Sequence, residues 1–122
     1  MSAVMIVEPD AMQRDLIVLA LQRRKLQPVV CPQASQVEEM VSQHKPELLI
    51  LNLLLHGCNG LDLLDGLRKK GKLDRTKVVL LSPLGFPEIV RKAARAGASA
   101  FMVKPLDPEL LAERTCTLLR VP

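Results

Sequence analysis

Apolar residues in this chain fall into two alternating patterns. Short runs of Val, Ile, Leu and Met, the length of a strand, predict extended segments at roughly Ala3 to Val7, Pro28 to Cys31, Leu48 to Leu51, Val78 to Leu81 and Ala100 to Val103. The runs around Ile50 and Leu80 are apolar throughout, as strands covered on both faces must be. Between the runs lie amphipathic stretches such as Leu61, Leu64 and Leu67, which recur at helical spacing. Five strands alternating with five helices predict one α/β domain, a parallel sheet sandwiched between two helical layers.

Terminus signals place the helices. Asp10 is suited to cap the first, with Gln13 three residues later completing a capping-box pattern, and "SQVE", Ser35 to Glu38, is expected to open the second by the same reciprocal arrangement. The third follows Gly60. The fourth begins near Pro87, a residue that fits a first helical turn, and stops at Gly97, which can take the left-handed backbone that ends a helix. In "DPELL", Asp107 caps the fifth and proline enters its first turn.

Composition narrows the classes of function. The 122 residues, 48% of them apolar, suffice for one core and not for two domains. Apolar runs such as "ELLILNLLL" fall short of the roughly 20 residues a membrane helix needs, and Met1 to Asp10 lacks a signal pattern, so a cytoplasmic location is expected. Cys31, Cys58 and Cys116 have neither zinc-site spacing nor a companion histidine and read as reduced thiols. The formal charge of +4 is densest in "RKKGKLDRTK", Arg68 to Lys77, but with 2% aromatic residues and no Tyr or Trp to stack bases, nucleic-acid binding is disfavoured. The basic run reads as a solvated connection.

Four stretches, in order along the chain, carry a family resemblance. "VMIVEPD", "PELLILNLLLHGCNGLDLL", "VVLLSP" and "GASAFMVKPLDPELL" together resemble the receiver domain of bacterial two-component response regulators over essentially all 122 residues. The resemblance implies a flavodoxin-like (βα)5 fold with a doubly wound five-stranded parallel sheet of order 2-1-3-4-5 and a site at the carboxyl ends of the strands. It also implies a signalling role, with residues 1–122 forming one receiver-like domain of a larger protein; the final "VP" is where a linker would begin.

In that family an aspartate ending the third strand accepts a phosphoryl group, an acidic pair after the first strand helps hold Mg²⁺, and a Ser/Thr and a lysine respond. The resemblance places Asn52 at the acceptor position, Glu8 and Pro9 at the acidic pair, Ser82 at the hydroxyl, Lys104 at the lysine and Phe101 at the switch aromatic. An amide nitrogen, its lone pair delocalised, is no nucleophile at neutral pH. Mg²⁺ prefers several hard oxygen donors, and here Glu8 and Lys104 cancel in charge while Pro9 offers no side-chain donor, so Mg²⁺ binding is expected to be weak or absent and no cofactor is expected. Lys104 is expected either to bond the side-chain oxygen of Asn52 or to pair with Glu8. The resemblance implies a cis Lys104-Pro105 bond, while the residues alone leave cis or trans open.

These residues lead to the expectation of a pseudo-receiver: no enzyme, but a protein-interaction module that works without phosphorylation. Its expected surface is that of the fourth helix, fifth strand and fifth helix, where Arg91, Lys92, Arg95 and Phe101 would meet an acidic partner or a second copy of the chain. Two other readings stay open. One is a receiver that still takes phosphate with Mg²⁺ at a shifted acid such as Asp10; the other is a small-ligand binder using a pocket near Glu8, Ser82 and Lys104. Asp62 and Asp65 read as a solvated helix face, His56 as an exposed loop residue and Cys58 as a small apolar replacement.

Overall fold

The computed structural model describes residues 2–122. Strands β1 (Ala3–Val7), β2 (Gln27–Val30), β3 (Leu48–Asn52), β4 (Lys77–Ser82) and β5 (Ala100–Val103) alternate with helices α1 (Ala11–Arg23), α2 (Val37–His44), α3 (Gly60–Lys69), α4 (Pro87–Arg95) and α5 (Pro108–Leu119). The strands form one parallel sheet of order β2-β1-β3-β4-β5, the order that the resemblance implies. Every residue of β3 is buried, which explains why that run is apolar throughout until Asn52.

Alternate residues of each central strand feed opposite layers. Val4, Ile6, Leu48, Ile50, Val79 and Leu81 pack with Ile17 and Leu21 of α1 and Leu111 and Cys116 of α5. Met5, Val7, Leu49, Leu51, Val78 and Leu80 pack with Val37 and Val41 of α2, Leu64 and Leu67 of α3 and Ala93 of α4. Burying one such side chain stabilises the fold by about 1.5–3 kcal/mol, so the two layers dominate its energetics.

The helix ends follow the expected chemistry with two exceptions. Asp10 accepts from the Gln13 backbone N–H at 2.9 Å and Asp107 accepts from that of Glu109 at 3.0 Å, while Pro87 and Pro108 occupy first turns and Gly97 sits at φ +98°. The box expected at Ser35 to Glu38 does not form. A 3-10 turn over Ala34–Gln36 places Ser35 inside the turn, α2 starts at Val37 without a side-chain cap, and the Glu38 carboxylate bonds Lys70 of the α3–β4 loop at 2.7 Å. The first box is half formed as well: the backbone N–H of Asp10 goes to Glu8 Oε2 at 3.1 Å, and Gln13 Oε1 is buried without a partner.

Between β3 and α3 the chain makes a two-residue hairpin, Leu54–Leu55 against Cys58–Asn59. Gly60, which ends it, lies so close to β3 that a Cβ there would meet Asn52 O at 2.5 Å and Leu53 Cα at 2.9 Å. Only glycine fits that approach. Asn59, a cap not expected from the sequence, accepts from Leu61 N–H at 2.7 Å and starts α3.

Candidate functional site

Parallel strands deliver their last residues to one edge of the sheet, and four polar side chains meet there. Glu8 follows β1, Asn52 ends β3, Ser82 ends β4 and Lys104 follows β5. Glu8, Asn52 and Ser82 are 2%, 4% and 0% exposed, and the Lys104 side chain is 14% exposed. Groups so deep cost free energy unless each finds a partner, so their hydrogen bonds decide what the site can do.

Lys104 Nζ donates to Glu8 Oε1 at 2.5 Å, reaching across the ends of β3 and β4. Of the two partners expected for this lysine the structure selects Glu8. The other carboxylate oxygen, Oε2, accepts from Asp10 N–H, and the Glu8 carbonyl accepts from Arg14 Nη1 at 3.3 Å. Asn52 Nδ2 donates to the carbonyl of Leu54 at 2.6 Å and ties the tip of β3 to the hairpin; its Oδ1 is buried with no hydrogen-bond partner. The Ser82 hydroxyl closes a local turn, donating to Leu84 O at 3.0 Å and accepting from Leu84 N–H at 2.9 Å. The Lys104–Pro105 peptide is cis.

This donor set does not fit Mg²⁺. The one carboxylate present has an ammonium on one oxygen and a backbone amide on the other, Pro9 brings no side-chain ligand, and Asn52 adds a single neutral oxygen. The shifted-acid reading finds no support in Asp10, whose carboxylate is turned to the first turn of α1. No group of three or more His, Cys, Asp or Glu among the described residues is arranged to hold a metal ion.

Beside the site lies a cleft of about 630 Å³, bounded by Glu8 and Pro9, by Cys31 and Gln33 after β2, and by His56 and Cys58 of the hairpin. Of the three residues expected around a pocket, Glu8 borders this cleft, whereas Ser82 and Lys104 do not line it. Burial pushes the Cys31 thiol above its ordinary pKa, and the thiol donates to the Gln33 carbonyl at 3.3 Å. Cys58 and His56 are exposed, and all three cysteines are free thiols.

The expected surface residues lie on α4 and on the neighbouring strand β5. Arg91, Lys92 and Arg95 are exposed and make no ion pair with the described residues, but Lys92 and Arg95 border a groove shared with Asp62 and Asp65 of α3. Phe101 is half-buried against the layer that holds Ala93 and Ala96. Asp65 pairs with Lys69 at 3.0 Å across one helical turn, as a solvated helix face would. No helix of the described residues is long and apolar enough to cross a membrane.

Known proteins share this fold. The chain is 28% identical to the N-terminal receiver domain of Klebsiella pneumoniae RstA in its BeF3-activated form, with a TM-score of 0.86 and coverage of 98% of this chain and 99% of that one. The Francisella response regulator 1452 receiver domain superimposes with a TM-score of 0.91 at 18% identity, covering 98% of each chain. Among curated proteins, the phosphate regulon transcriptional regulatory protein PhoB of Escherichia coli is 24% identical over 117 residues, 96% of this chain and 51% of PhoB. The chain thus spans about half the length of the curated relatives it matches. Residues 4–115 match the model of the response regulator receiver domain, and the chain belongs to that family.

Proposed function

We propose that this receiver domain signals without taking up phosphate and acts as a protein-interaction module. The observation that carries the reading is the amide at the tip of β3: Asn52 occupies the position that the family resemblance gives to the phosphoacceptor, and its nitrogen donates to Leu54 O. An amide so placed is not a nucleophile toward phosphorus. The Glu8–Lys104 pair supports the same reading, because it neutralises the site from within. The ammonium that would otherwise be free to meet an incoming phosphate already has its counter-ion.

The test is an amide NMR titration with Mg²⁺ and then beryllofluoride, the reagent named for the RstA domain. Unmoved resonances at Glu8, Asn52, Ser82 and Lys104 are expected. Saturable shifts centred on them would overturn the proposal and point to a carboxylate acting in place of residue 52.

Such a module works by displaying a surface. The exposed cations of α4, Arg91, Lys92 and Arg95, fit an acidic partner or an acidic patch on a second copy. Sedimentation of the wild type beside Arg91→Glu/Lys92→Glu/Arg95→Glu distinguishes the two: a mass that falls with charge reversal indicates a dimer. A second reading, small-ligand binding, is favoured by one observation, the cleft of about 630 Å³ beside Glu8.

A further inference from the structure

The sheet has a second end, and the charge of the molecule is gathered there. Residues 68–77 hold six cations and one acid, more net positive charge than the +4 of the whole chain, so the remainder is slightly acidic. Several of these cations are committed within the fold. Lys69 pairs with Asp65, Lys70 pairs with Glu38, and Lys77 Nζ donates to the Leu118 carbonyl at 2.7 Å. Lys72 and Arg75 form no ion pair with the described residues.

Those two side chains join Lys45, likewise without an ion pair to the described residues, around a cleft of about 410 Å³ between the end of α2 and the α3–β4 loop. That volume lies within the roughly 300–1,000 Å³ of small-molecule sites. Ser42 lies on the same wall, its hydroxyl accepting from Lys72 Nζ at 3.3 Å. Thr76 Oγ1 donates to Pro46 O at 2.8 Å and pins the loop to the start of β3. Asp74 is the only acid in the lining, and its carboxylate lies beside Gly71, which has φ +70°.

Helix ends explain part of this charge, since a cation is favoured beside terminal carbonyls. Lys45 is the C-cap of α2, and Lys72 N–H bonds the Leu67 carbonyl at the end of α3. Arg75 lies beyond both ends. Three cations converging on a concave surface, with one acid to oppose them, exceed what two helix ends require.

We infer that the cleft between the end of α2 and the α3–β4 loop, lined by Lys45, Lys72 and Arg75, is a binding site for a small polyvalent phosphate anion. Arginine offers a planar pair of donors to phosphate oxygens, and lysines add point charge from both walls. The two phenylalanines of the chain, Phe86 and Phe101, lie outside the cleft, so recognition rests on phosphate oxygens and not on a stacked base.

The test is amide NMR with inorganic tripolyphosphate at two salt concentrations, repeated with ATP and with a single-stranded RNA homopolymer. Saturable shifts confined to residues 41–46 and 71–76 are expected, with ATP binding about as well as tripolyphosphate. The triple variant Lys45→Gln/Lys72→Gln/Arg75→Gln should bind at least about tenfold more weakly, while Lys69→Gln/Lys70→Gln, which removes cations already paired, should change affinity by less than about twofold. Arg75→Ala, a single exposed change, repeats the test should the triple variant fail to fold. Equal losses in both variants, or shifts spread over the whole basic run, would reduce the effect to diffuse attraction and overturn the site. Binding of ATP without tripolyphosphate, or of RNA in strong preference to both, would also overturn it.

Discussion

Removing Lys104 while leaving Glu8 in place strands a carboxylate that is almost fully buried. Breaking a buried pair from one side costs about 3–5 kcal/mol, so Lys104→Met should lose that much unfolding free energy in a urea titration followed by circular dichroism. Glu8→Gln/Lys104→Met should recover most of the loss, and a cost below about 1 kcal/mol would class the pair with solvated ion pairs. Gly60→Ala should cost about 1–3 kcal/mol, because the added methyl meets the β3 backbone with no side chain to move aside. Thiol labelling should be selective: Cys58 reacts fast in the native state, whereas Cys31 and Cys116 wait for unfolding, and Cys58→Ser should abolish the fast phase. At this scale the family resemblance brought Glu8, Asn52, Ser82 and Lys104 together, and each ends an apolar run. It did not show which partners they take. Choosing Glu8 over Asn52 as the partner of Lys104 depends on how far apart strand tips stand, and residue identity does not encode that distance.

For the elements, capping chemistry makes the sharpest forecast. Asp107→Ala should cost about 1 kcal/mol through the lost bond to Glu109 N–H. Asp10 and Asp107 were legible as caps because each stands alone before a helix with its carboxylate free. Ser35 was not, because a 3-10 turn and the pull of Lys70 on Glu38 are tertiary facts. The Lys70 ammonium, by hydrogen bond first and by charge second, holds the Glu38 carboxyl below its ordinary pKa. A carboxyl depressed in the folded state adds stability above its unfolded pKa of about 4.3, and that stability is lost as pH falls through the lower folded value. The stability difference between wild type and Lys70→Met should therefore be small at neutral pH, since both groups are exposed, and vanish in acid. The strands were read to within a residue or two because period and burial agree in them. The hairpin at Leu54–Asn59 escaped notice since its four paired residues carry no alternation.

The whole molecule is a sheet clasped by two apolar layers, and the order of its strands followed from resemblance, not from periodicity. Hydrogen exchange should be slowest in β1, β3 and β4, whose amides lie between buried faces, and fastest in the edge strand β2 and the hairpin. The ion pair at the strand tips joins residues 96 positions apart in the chain. During synthesis Glu8 emerges early, and Lys104 arrives only with the fifth strand. A nascent chain or a proteolytic fragment that stops short of β5 can form β1 and β3 yet has no cation for Glu8, so water must stay at the centre of its unfinished sheet. Arrival of β5 is then what closes the site, and split or permuted versions cut between β4 and β5 should assemble only when both pieces are present.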